Sequence, residues 1–175
     1  MSGEIATIKF DLDASQETAS DYRGRVLSNF PPLDERWGPG NSSGEFNAMW
    51  GGSRTLAATN GETLSLQALT GGPSGATVSF AEVRFFGVSV ASSAPDALEI
   101  QLDDPGGWRA LLSGQAYQGN SSDATIKVQP GASMILTCGV DGKYPVSASS
   151  HYLIFRNSSS SSALTYTILI LGTTA

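Results

Sequence analysis

The sequence predicts an all-β fold, a β-sandwich or jelly roll of about seven to nine short strands with an irregular N-terminal arm or long loop. Three observations predict it. Apolar residues alternate with a period of two in run after run, turn residues punctuate the chain regularly from residue 63 onward, and no segment carries a convincing helical period. The strongest run closes the chain. Ala163 to Ala175 reads ALTYTILILGTTA, with Leu164, Tyr166, Ile168 and Ile170 on one strand face and Thr165, Thr167, Leu169 and Leu171 on the other. The second face turns apolar at Leu169, so the end of this strand is expected to be covered on both sides, by a second sheet or by a neighbouring subunit.

The remaining elements follow in order. Ile5 to Asp13 alternates cleanly and reads as a first strand, giving a first segment over 1–13. Residues 14–59 lose periodicity and carry Pro31, Pro32 and Pro39, yet include Tyr22, Phe30, Trp37, Phe46 and Trp50. The segment reads as an aromatic arm or long loop with one or two short strands near Trp50 to Ala57, packed on its own domain or on a neighbour. A sandwich core is expected over 60–175. Its strands are read at Thr63 to Leu69, Thr77 to Val90 with a bulge or close packing at Gly87, Ala97 to Leu102, Trp108 to Leu112, Ala124 to Val128, Ser133 to Cys138, Val146 to Ala148 and His151 to Arg156. Gln129-Pro130-Gly131 is a turn, and the tract Ser158 to Ser162 is expected to be a hairpin loop before the last strand.

Composition narrows the function classes. Charged residues make up only 15% of the 175 residues, against about 25% in an average domain. Solubility must then come from Ser, Thr, Asn and Gly, or much of the surface is covered in an assembly. Sixteen acidic against ten basic residues leave a net charge of −6, and the basic residues are scattered, which argues against a nucleic-acid partner. No apolar run approaches the roughly 20 residues of a membrane helix, and no membrane partner is expected. The start MSGEIATIKFDLD lacks the basic and apolar regions of a signal peptide, so synthesis in a cytoplasm is expected. Cys138 is the single cysteine and is read as a buried, inert thiol.

Catalytic and metal-binding patterns are weak. Gly40-Asn41-Ser42-Ser43-Gly44 matches the nucleophile elbow, but that chemistry needs a strand before the serine and a helix after it, so a turn is the better reading. His151 is the only histidine and is read as a satisfied or exposed strand residue. The carboxylates Asp11 with Asp13, Asp103 with Asp104, and Glu82 with Glu99 are the remaining candidates for paired acid and base work. Solvated carboxylates are the favoured reading, with Ca²⁺ at Asp103 and Asp104 a minor alternative. No catalytic residue, metal or cofactor is assigned, and the chain is read as a non-enzyme.

Leu64 to Thr70 (LSLQALT), Phe80 to Arg84 (FAEVR), Val128 to Leu136 (VQPGASMIL) and Leu169 to Thr174 (LILGTT) resemble a group of small β-rich virion structural proteins of phage. The resemblance covers residues 60–175 and is a pattern of strands and turns. It implies a capsid decoration, or cement, protein that stabilises the outer shell of a virion as an oligomer, expected to be a homotrimer, with the major capsid protein as partner. Tyr22, Phe30, Trp37, Phe46, Trp50, Leu169 and Leu171 are nominated as partner-interface residues, since large apolar side chains dominate interface energetics. A tail-fibre, receptor-binding or carbohydrate-binding sandwich is the alternative.

Overall fold

Leu164–Thr174 alternates apolar and hydroxyl-bearing side chains as far as Ile168 and then runs apolar to Leu171, and it becomes the central strand of the molecule in a computed structural model. The structure describes residues 6–10, 33–40, 42, 45–70, 75, 77–101, 106–108, 125–138 and 142–174. The strands are β1 (Ala6–Phe10), β2 (Leu33–Pro39), β3 (Glu45–Phe46), β4 (Ala48–Leu56), β5 (Gly61–Ser65), β6 (Phe80–Val90), β7 (Leu98–Gln101), β8 (Thr125–Val128), β9 (Ser133–Thr137), β10 (Tyr144–Pro145), β11 (Tyr152–Asn157) and β12 (Leu164–Thr174). The described residues contain no helix.

Two antiparallel sheets form a β-sandwich. In the first, β12 lies between β4 and β6, while β9 and β10 pair with the far edge of β6. The second runs β5-β11-β7-β8. A smaller sheet joins β1 to β2 antiparallel and β2 to β3 parallel. The sandwich pairings nest: β4 pairs with β12, β5 with β11, β6 with β9, and β7 with β8.

Inward-facing side chains of both sheets interdigitate into one core. Trp50, Phe80, Phe86, Leu98, Ile100, Trp108, Leu153, Phe155, Tyr166, Ile168 and Ile170 are all within 1% of complete burial. Buried indoles need a partner for the ring N–H. Trp50 donates to the Thr70 carbonyl at 3.1 Å, and Trp108 to the Pro145 carbonyl at 3.0 Å. Trp108 also meets Phe86 and Tyr144 edge-on, at ring separations of 6.2 and 6.1 Å.

Several expectations change on the way from sequence to structure. The sandwich begins at Ala48: β4 pairs along β12 from Leu56 to Ala48, and Trp50 sits in the core, so part of the segment read as an arm is a sandwich strand. The serine tract is not a hairpin, because β11 and β12 belong to different sheets and the tract crosses between them. Asn157 fastens that crossing. Its buried amide donates to the carbonyls of Ser162, Ala57 and Leu56 at 2.8, 3.1 and 3.2 Å, and its Oδ1 accepts from the Ser159 N–H at 2.9 Å. Ser159 Oγ in turn accepts from the N–H groups of Ser161 and Ser162, so short hydroxyl side chains satisfy the backbone of a tight arch.

The irregularities of β6 fall at Arg84 and Ala81 and not at Gly87. β12 pairs Leu171 with Phe85 and then Gly172 with Val83, leaving Arg84 as the extra residue. Gly87 serves the alternative expected of it, close packing: a Cβ there would come within 2.9 Å of the Phe85 ring. Gly131 has φ +75° in the Gln129–Ala132 turn, where the Ala132 N–H donates to the Gln129 carbonyl at 2.9 Å, as a proline-glycine type II turn requires.

Candidate functional site

The outward faces of the two sandwich sheets differ in chemistry. On the second sheet the register aligns Arg156, Glu99 and Lys127 across β11, β7 and β8, and Lys127 pairs with Glu99 at 2.9 Å. This is a charged, solvent-compatible ladder. The outward face of the first sheet is its opposite.

Three rows cross β4, β12, β6 and β9 there. The first reads Ser53, Thr167, Ser89, Ser133; the second Gly51, Leu169, Gly87, Ile135; the third Met49, Leu171, Phe85, Thr137. Thr55 and Thr165 extend the hydroxyl end of the face and lie 3.1 Å apart, while Ser133 donates to Ser89 at 2.9 Å. None of these positions bears a charge, in a chain with 26 charged residues. The three large hydrophobic side chains that are exposed among the described residues, Met49 (40%), Ile135 (41%) and Leu169 (36%), all lie on this face. Between Leu169 and Ile135 a shallow, almost wholly apolar groove of about 200 Å³ runs over Gly87. Scattered exposed hydrophobes are ordinary, but a contiguous uncharged patch marks an interaction surface.

The nominated interface residues separate. Leu169 is on the open face. Leu171, Phe46 and Phe85 form a buried cluster at its end, where the Asn47 N–H donates to the Gly172 carbonyl at 3.1 Å and holds β3 against β12. Leu171 is therefore covered by its own chain. Trp50 is a core residue at 1% exposure. Trp37 lies on β2 opposite Ala6, and Tyr22 and Phe30 lie outside the described residues. Met49 and Ile135 belong to the face but were not singled out from the sequence, because the strands that place them beside Leu169 are far apart in the chain.

The groups weighed for catalysis are dispersed. Glu82 on β6 pairs with Lys143 at 2.7 Å and approaches Arg84 at 3.4 Å, whereas Glu99 belongs to the other sheet. Asp11, Asp13, Asp103 and Asp104 lie outside the described residues. His151 Nδ1 lies 3.0 Å from the Ser147 carbonyl, and its ring packs at a tilt against Tyr152 with centroids 4.0 Å apart. Cys138 is half-buried and not fully buried as expected, with its thiol 3.0 Å from the Gly142 carbonyl. Ser42 is followed by β3 and not by a helix, and its N–H donates to Glu45 at 2.9 Å, which gives a turn. Among the described residues no group of three or more His, Cys, Asp or Glu could hold a metal ion.

One polar cluster does bridge the sheets. Tyr166 on β12 donates to Glu62 on β5 at 2.6 Å, and Arg54 on β4 donates to the same carboxylate at 2.7 Å while its guanidinium lies over Trp50. Burial pushes the Tyr166 hydroxyl well above its ordinary pKa, and the hydrogen bond to Glu62 adds to the shift. A raised folded-state pKa means that this stability is complete below about pH 10 and is lost as pH rises above it, by up to about 1.4 kcal/mol per pH unit. Denaturant melts from about pH 9 to about pH 11 are expected to show this decline in the wild type and a shallower one in Tyr166→Phe.

No family model, no curated protein and no solved structure matches this chain.

Proposed function

We propose that this chain is a non-enzymatic structural protein of a virion, a capsid decoration protein that stabilises the outer shell as an oligomer. The observation that carries the reading is the uncharged outward face of the β4-β12-β6-β9 sheet, set against the charged ladder on the opposite sheet. A sheet face without charge suits a protein surface, and the face that carries the Arg156, Glu99 and Lys127 row suits water. The nested strand pairing supports the same reading, since nested pairs are what jelly-roll winding produces, and viral capsid and lectin domains use that architecture. The major capsid protein is the proposed shell partner, and neither nucleic acid nor a membrane is part of the proposal.

The adjoining rings of His151 and Tyr152 favour a second reading, a carbohydrate-binding or receptor-binding module, because aromatic side chains beside a hydroxyl-rich turn suit a sugar ring. Imaging of purified particles tests the two. Density for this sandwich on the outer shell is expected; its location at a fibre tip, with glycan binding by the isolated chain, would overturn the decoration role.

A further inference from the structure

We infer that the uncharged face pairs with a second copy of itself about a two-fold axis that runs along the strands between β12 and β6. The second row is the reason. Across the sheet it reads small, large, small, large: Gly51, Leu169, Gly87, Ile135. Such a row is its own complement. A two-fold midway between β12 and β6 exchanges those two columns, and it exchanges β4 with β9. Leu169 of each copy then enters the groove over Gly87 of the other, and Ile135 of each copy meets Gly51. The hydroxyl row obeys the same operation, with Thr167 facing Ser89. An isologous interface requires this kind of self-complementarity, and aligned sheets can meet face to face about 10 Å apart. The contact is confined to the open rows, since Phe46 already covers Leu171 and Phe85 at the end of the face.

Charge selects the same occupant. Two copies that each carry −6 repel one another over most orientations, and this face is where they can meet without opposing charges. From strand spacing the open rows cover about 300 Å² per copy, roughly a third of a standard interface, so the pairing is reversible. It strengthens wherever copies are held close together. The inference does not depend on the virion role, because it concerns the purified chain alone.

The test is sedimentation equilibrium of the full chain over a range of concentrations up to millimolar. The wild type is expected to move reversibly from monomer to dimer. Leu169→Lys and Leu169→Glu should each weaken this association by about a hundredfold, since like charges would be opposed at the axis, while an equimolar mixture of the two restores it. Unchanged melting of each variant separates loss of pairing from loss of fold. A wild type that stays monomeric throughout, a trimer, or a mixture that fails to recover the dimer would overturn the inference.

Discussion

Replacing Trp50 by alanine is expected to destabilise the fold by about 3–5 kcal/mol, the cost of emptying a large aromatic site in a packed core. The side chain is 1% exposed, its ring N–H holds the Thr70 carbonyl, and the Arg54 guanidinium lies 5.8 Å from its ring. Truncation therefore leaves a cavity and an unsatisfied carbonyl, and it loosens the approach of Arg54 to Glu62. For a domain of this size the melting temperature should fall by about 10 °C or more. Trp50→Phe should recover most of the loss. Chemical denaturation checks both variants. A loss below about 1 kcal/mol for the alanine variant would mean that Trp50 is not the core residue described. This also governs how assembly experiments are read, since failure of a Trp50 variant to assemble reports on folding, whereas failure of a Leu169 variant reports on the face.

Asn157→Asp is the second large expected effect, about 3–5 kcal/mol at neutral pH. The asparagine Nδ2 supplies hydrogen atoms to three carbonyls around the inter-sheet arch. A carboxylate in its place would point oxygen at oxygen inside a site that is 1% exposed. The new carboxyl group would be held protonated in the fold, so its pKa is raised above the unfolded value of about 4 and the destabilisation grows as pH rises above that value. Asn157→Ala removes the same bonds without a charge and should cost about 2–3 kcal/mol with little pH dependence. Melts of the two variants at mildly acid and neutral pH distinguish them. Equal losses at both pH values would contradict the buried arrangement.

The alternation of Leu164 to Ile170 was readable because one face of β12 fills the core, and a period of two survives wherever one face is buried. The same rule made most of the later strands legible. It failed where local chemistry and tertiary context diverge. β2 contains Gly38 and ends at Pro39, which disguises a strand, and β3 is only two residues long. The serine tract resembled a hairpin loop because composition does not reveal which sheet the next strand joins. Asn157 could not be singled out from the sequence, because its role comes from carbonyls brought in from β4 and from the far end of the arch. The face itself was half legible. Leu169 drew attention as an apolar residue on the wrong side of an alternating strand, but its glycine flanks come from residues 51 and 87 and its apolar neighbour from residue 135. Only the strand register assembles that row.

We propose that copies of this chain meet through the neutral face. Amide NMR spectra of the full chain recorded at increasing concentration test it most directly. Shifts are expected to move at Thr167, Leu169, Gly87, Ser89 and Ile135 while Glu99, Lys127 and Arg156 stay fixed. Movement confined to the charged ladder, or spectra that do not change with concentration, would contradict it.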